Sequence, residues 1–343
     1  MLQIQMHIIL HVGMHKTAST YIQMMLAANR EILHLNNIEY ATTNRDILFK
    51  SIRSRNFSPW IELIEKYKQR STLLISDERL SNILAQKQNN RLIAANGAWL
   101  TKKLKPYIEK ITLIGFVRDQ PEFINSQFCQ NSKRFSPFTS SNFDQYIKEV
   151  FSSKHDLIEC NPQKLFNWSL RSKLVETIFI PYNNPTKKDP FIQLIQKLIP
   201  AAEQIRWNQV KAINETPGLL TILMANKIRK YIRKQNLFLT PKERLQLSFE
   251  LISTTDLLGW NTAKFDAISK KRYALIRDHY RADNNKFALR AWGKEQWDDI
   301  FPAKKQFATN CRVGIFNRLE VRKQTKEFIT TSTILNNHRE VIS

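Results

Sequence analysis

Four short apolar runs mark the first half of the chain: His7–Val12, Thr72–Ser76, Ile111–Val117 and Val175–Ile180. Each is continuous rather than alternating, the pattern of a strand buried on both faces in a parallel sheet. The stretches between them read as helices, such as Tyr21–Asn29, which lacks Gly and Pro, and Arg79–Ala85. This alternation predicts an α/β fold, an open parallel sheet flanked by helices. From about Phe191 the chain is mostly helical in pattern. Thr240-Pro241-Lys242-Glu243 has the form of a helix start, with a hydroxyl cap, proline at the first position and an acid behind it. The expected organisation is one α/β domain over residues 1–317, mostly helical over 191–317. A polar tail over 318–343 is expected to fray. No repeat or low-complexity linker marks a further boundary.

In an open sheet, ligands gather at the carboxyl ends of the strands, so the segments leaving the apolar runs are the place to look for chemistry. The first run leads into His11-Val-Gly-Met-His-Lys-Thr-Ala-Ser-Thr20. A strand that turns through Gly13 into a helix aims backbone N–H groups and the positive dipole end at one spot. Lys16 adds a cation there, and Thr17, Ser19 and Thr20 add hydroxyl donors. Such a spot suits a phosphate or a sulfate. The nucleoside-triphosphatase loop, G-x-x-x-x-G-K-[ST], has glycines where this chain has Leu10 and His15. The spacing is instead G-x-x-K-T-x-S-T, a tighter turn with fewer amides to wrap a triphosphate.

The Ile111–Val117 run ends in Arg118-Asp119-Gln120-Pro121, and a helix start comes next with Pro121 in its first turn. Arg118 stands eight residues before Ser126. A guanidinium fork suits a phosphate, and one charge-assisted hydrogen bond contributes roughly 1.5–3 kcal/mol. The plainer alternative is a surface Arg–Asp pair after a strand. The Thr72–Ser76 run ends in Ser76-Asp77-Glu78, which is open to three readings: an acid that holds Mg²⁺ in a nucleotide-hydrolysing site, a general base, or, for Asp77, a cap on the next helix.

Taken together, these segments resemble the sulfotransferases that use 3′-phosphoadenosine 5′-phosphosulfate (PAPS). The loop is similar to the H-x-G-x-H-K-T-x-[ST]-T form of the bacterial carbohydrate-type members. That family also has a strand followed by V-R-D/N-P and a serine eight residues after the arginine; here Gln120 intervenes before the proline. Looser similarity extends through Val175–Tyr182 and through Tyr280, Asn284, Asn285, Phe287 and Trp292-Gly293. Beyond about residue 310 there is none. The resemblance implies a P-loop-like fold in which Gly13, Lys16, Thr17, Ala18, Ser19 and Thr20 hold the 5′-phosphosulfate. It assigns the 3′-phosphate to Arg118 and Ser126. Lys16, Glu78 and His15 are the implied catalytic residues: Lys16 neutralises charge on the leaving oxygen, Glu78 is the base, and His15 contacts the sulfuryl oxygens or shares the base role. PAPS is the implied co-substrate, no metal is required, and residues 191–317 cover a carbohydrate or other hydroxylated acceptor. Two readings from other classes stand beside it: a Mg²⁺-dependent kinase with a degenerate phosphate loop, and a basic non-catalytic module for nucleic acid or glycans.

Composition changes the picture in one respect. The net charge is +23 over 343 residues, spread through segments such as Lys227-Ile-Arg-Lys230 and Lys270-Lys-Arg272 rather than gathered in one arm. Spread in this way it reads first as ordinary solvated Lys and Arg, and beside that as a basic surface for an anionic acceptor or for peripheral membrane association; no nucleic acid is expected. Cys129, Cys160 and Cys311 show no metal-ligand spacing, and with no apolar stretch of about 18–20 residues and no room for a signal peptide, the expectation is a cytoplasmic protein with reduced thiols. His7, His11 and His15 recur every four residues, but on a strand and a turn rather than a helix, so no metal site is expected. Trp168, Trp207 and Trp292 suit either sugar stacking or a core.

Overall fold

The computed structural model describes residues 6–41, 45–86, 95–137, 140, 142–152, 158–182, 188–210, 217–307 and 314–340; Cys311 lies outside them. The chain folds as two compact units. One comprises Met1–Asp119, Leu157–Ile213 and Tyr280–Ala303; the other comprises Gln120–Asp156, Asn214–His279 and Lys304–Ser343.

The first unit holds the sheet: β1 (His7–His11), β2 (Ile38–Tyr40), β3 (Thr72–Ser76), β4 (Lys110–Val117) and β5 (Glu176–Pro181). The strand order is β2-β3-β1-β4-β5 and every neighbouring pair is parallel. The four apolar runs are four of these strands. The fifth, β2, is three residues long and sits at the edge, too short to show a period of its own. In chain order the helices are α1 (Ser19–Ala28), α2 (Arg30–Leu35), α3 (Arg45–Ser54), α4 (Ser58–Tyr67), α5 (Arg79–Ala85) and α6 (Asn96–Leu104). After α7 (Gln120–Lys133) and α8 (Phe143–Phe151) in the second unit, the chain returns for α9 (Pro162–Leu170) and α10 (Pro190–Ile195). One core joins Ile9, Leu74, Ile114 and Phe116 of the strands to Ile22, Met25 and Leu26 of α1 and Phe191 of α10.

The tryptophans resolve toward packing. Trp207 is buried in that core with its Nε1 donating to the Ala202 carbonyl (2.7 Å). Trp292 donates to the Phe179 carbonyl (2.8 Å) and lies edge-on to Phe287. Trp168 lies flat over Gly97, so close that a Cβ there would stand 2.5 Å from the ring.

The second unit is helical. It contains α7, α8, α11 (Leu219–Lys234), α12 (Pro241–Leu257), the first part of α13 (Lys270–Trp292), α14 (Ile315–Thr331) and α15 (Thr333–Glu340). The start of α12 is the expected one: Thr240 and Glu243 form a reciprocal capping box. The stretch from Arg318 differs from the polar tail expected. It is helical, and Val321 and Phe328 of α14 and Ile334 and Leu335 of α15 join Met224, Ile228, Leu247 and Leu251 in one core. Few of its positions are buried, so the composition reads as polar while the spacing of Val321, Thr325 and Phe328 builds one inward face.

Candidate functional site

The sheet places its site by topology. From β1 the chain runs to β2 and β3 on one side, then crosses to β4 on the other, so the order reverses between β1 and β4. That switch point is where open α/β sheets leave a crevice at the strand ends. Val12 and Met14 still donate to the Ile114 and Phe116 carbonyls of β4 (2.9 and 3.1 Å), and beyond Met14 the chain leaves the ladder.

The loop after β1 is held in an uncommon conformation. Gly13 has φ +49, and a Cβ there would stand 2.9 Å from Ser19 Oγ and 3.6 Å from Glu78 Cβ. Both backbone and space therefore require glycine. Lys16 (φ 67) and Ala18 (φ 61) are also left-handed, a conformation that costs a non-glycine residue about 1–2 kcal/mol. Two bonds hold it. Thr17 Oγ1 donates to the Met14 carbonyl (2.6 Å), and Arg118 Nη1, arriving from the end of β4, donates to the Lys16 carbonyl (2.8 Å). Arg118 itself lies 5.4 Å over the Tyr182 ring. Its neighbour Asp119 is buried and accepts from the Trp297 indole (3.0 Å).

At the end of this loop α1 begins without a side-chain cap and without an acid in its first turn. Its first N–H groups and positive dipole end have no built-in anion. Ser19 Oγ is buried there with no partner. A side-chain-free floor, an uncapped helix start and an orphaned hydroxyl form a cradle of the kind that suits an anion. Thr20, next along, is exposed.

The acids after β3 divide the roles proposed for them. Asp77 is buried, and both its oxygens are taken: Oδ1 accepts from the Arg79 amide (2.9 Å) and Nε (3.1 Å), and Oδ2 from Arg79 Nη2 (3.0 Å), with Arg45 Nη1 at 3.4 Å. It accepts from the first amide of α5 and anchors arginines. Glu78 stands at the head of α5 without capping it, half-buried beside Gly13, and its Oε2 accepts from Gln23 Nε2 of α1 (2.8 Å). Gln23 Oε1 in turn accepts from Arg45 Nη1 (3.1 Å), which also reaches the Ser76 carbonyl (3.1 Å).

The histidines part company. His11 pairs with Ser76 across the β1–β3 register, its Nδ1 at 2.7 Å from Ser76 Oγ, with its other nitrogen unpartnered. Burial pushes its pKa down to about 4 against the opposing pull of Asp77, so it is a neutral core residue. His7 is likewise lowered by burial and Lys110. His15, half-exposed, faces Glu159 (3.6 Å), whose Oε1 also accepts from Asn82. Among the described residues no three His, Cys, Asp or Glu side chains form a metal-binding group, and no helix is long and apolar enough to cross a membrane.

The fold thus brings together Gly13, His15, Lys16, Thr17, Ala18, Ser19, Thr20, Glu78 and Arg118 in the first unit. Ser126 lies half-buried on α7 of the second unit. No protein-family model, curated protein or solved structure matches this chain. The site therefore rests on its own geometry. Sequence reasoning passed over Gln23, Arg45 and Glu159, whose partners lie 22 to 144 positions away and obey no motif. Only the helical step from Ser19 to Gln23, one turn along α1, hints that Gln23 shares the cradle's side of that helix.

Proposed function

We propose that this chain is a sulfotransferase that moves the sulfuryl group of PAPS to a hydroxyl of a carbohydrate or other small acceptor. The observation that supports it most is the orphaned Ser19 hydroxyl beside the side-chain-free Gly13, at an uncapped helix start, with Glu78 across the same glycine. That set fits a phosphosulfate on one side and an acceptor hydroxyl on the other.

In this reading the amides of residues 16–20 and Ser19 Oγ hold the 5′-phosphosulfate, with Thr17 serving mainly to lock the loop. The acceptor oxygen attacks sulfur as the bond from sulfur to the 5′-phosphate oxygen breaks. The bisphosphate leaves with that electron pair, and the acceptor's proton passes to Glu78. A positioned base is worth about 10²–10⁴-fold, and Lys16 with the loop amides stabilises charge on the departing oxygen. The resemblance to the sulfotransferases assigns the 3′-phosphate to Arg118 and Ser126.

Two observations count against the kinase reading. Asp77, the acid that would hold Mg²⁺, has both oxygens occupied by arginines. The Thr17 hydroxyl, the expected second ligand, is donated to Met14. The test is calorimetric titration with adenosine 3′,5′-bisphosphate, with 5′-AMP, and with ATP plus Mg²⁺. The expected result is micromolar binding of the bisphosphate without metal, at least tenfold weaker binding of 5′-AMP, and loss of both in Lys16→Ala. Preferential binding of ATP–Mg²⁺ would overturn the assignment. Arg118→Ala is a poorer discriminator, because Arg118 also holds the Lys16 carbonyl and its loss would loosen the loop for any nucleotide.

A further inference from the structure

The second unit carries a surface that the proposed chemistry does not use. Over Gly314–Glu320 the first two turns of α14 are exposed on every side. Three of these residues are large and apolar: Ile315 is 73% exposed, Phe316 87% and Leu319 54%. Helical spacing puts Ile315, Leu319, Arg322 and Lys326 in one row and Phe316, Glu320, Lys323 and Glu327 in the next, away from the inward Val321, Thr325 and Phe328. The first row therefore runs from an apolar tip directly into two cations, and over the whole helix the bases Arg318, Arg322, Lys323 and Lys326 outnumber the acids Glu320 and Glu327.

The neighbouring helix adds charge of the same sign. Lys227 on α11 is held below the ordinary lysine value by burial, then by Arg322, then by Lys230. Holding like charges together is unfavourable in the protein alone and favourable against an anionic surface. By contrast α12 also exposes Leu245 and Phe249, but its acids, Glu243, Glu250 and Asp256, outnumber its bases, Lys242 and Arg244. On α14 with α11, unlike α12, exposed apolar side chains and an excess of bases over acids occur together.

We propose that this face is a docking surface for an anionic lipid bilayer, with Ile315, Phe316 and Leu319 entering the headgroup boundary and Lys227, Lys230, Arg322 and Lys323 meeting acidic headgroups. A polyanion such as RNA satisfies the cations alone and gives no reason for three exposed apolar side chains beside them; a bilayer satisfies both. The helix is too short and too polar to span, and lies along the surface.

The test is flotation of the full chain with phosphatidylcholine vesicles, with and without phosphatidylglycerol, at physiological salt. The expected result is binding to the acidic vesicles and little to the neutral ones. Each basic residue near such a surface contributes roughly fivefold, so Arg322→Ala with Lys323→Ala should weaken binding by more than about tenfold. Lys102→Ala with Lys103→Ala, an equal loss of charge on the exposed face of α6, should change it by less than about threefold. Phe316→Trp should report entry as a blue shift of its emission with acidic vesicles. These positions are exposed, so the variants keep the fold, which circular dichroism checks. The proposal fails if acidic vesicles do not bind the chain. It fails equally if the two double variants lose the same affinity, if Phe316→Trp shows no shift, or if a single-stranded oligonucleotide binds more tightly than the vesicles.

Discussion

Gln23 shows how much one side chain can decide at this site. Arginine can only donate, so the bond from Arg45 fixes Gln23 Oε1 toward Arg45 and its Nε2 toward Glu78. The amide orientation is thereby forced, and the Glu78 carboxylate is held by a charge-assisted bond of about 1.5–3 kcal/mol. If Glu78 is the base, Gln23 is its positioning residue. Gln23→Ala should lower kcat by on the order of tenfold while leaving the affinity for adenosine 3′,5′-bisphosphate within about twofold. Glu78→Gln should lower kcat further with the same unchanged affinity. Steady-state kinetics beside calorimetry separates the outcomes: an equal loss of nucleotide affinity and turnover in Gln23→Ala would make Gln23 a support of the loop instead.

At the scale of elements, β1 and its loop are a single device, and His11 marks where strand becomes site. Its imidazole is fully buried, hydrogen-bonded to Ser76 and edge-on to Phe116 at 5.8 Å. Because the folded pKa is about 4 against 6.5 unfolded, the unfolded chain binds the extra proton as pH falls through 6.5. Stability present above pH 6.5 is therefore lost progressively down to about pH 4, by about 2 kcal/mol between neutral pH and pH 5. Urea midpoints of wild type and of His11→Leu with Ser76→Ala should show this: the variant should lack that share of the acid sensitivity. Equal pH dependence in both would mean that His11 does not stay neutral. What the sequence made legible obeys the same division. Strands buried on both faces announce themselves as unbroken apolar runs, and the Gly13 turn announces itself by motif, because local backbone geometry demands those residues. The edge strand Ile38–Tyr40, the inward face of α14 and the Arg45–Gln23–Glu78 chain stayed hidden, because what makes each of them is a tertiary partner far along the chain. Asp77 was legible only as one of several possibilities, until the arginines that hold it were in view.

At the scale of the whole molecule, the charge of +23 acts on both units whatever they bind. Like charges repel within a compact fold, and salt screens that repulsion over a Debye length of about 8–10 Å at 0.10–0.15 M. Raising sodium chloride should therefore raise the thermal midpoint at first, unlike the loss expected where stability depends on attractive surface pairs. The anion cradle makes a sharper claim. Sulfate at matched ionic strength acts through screening, through general exclusion from protein surface and, if the cradle is a site, through binding to the folded state. Lys16→Ala leaves the first two contributions nearly unchanged and removes the third. The expected outcome of differential scanning fluorimetry is a chloride effect equal in both proteins and an additional sulfate effect that is larger in wild type than in Lys16→Ala. An additional sulfate effect of the same size in Lys16→Ala would mean that the loop after β1 does not hold the anion. The strain at Lys16 and Ala18 would then need another reason, since a cost of about 1–2 kcal/mol at each residue is kept in a fold only where something else is gained.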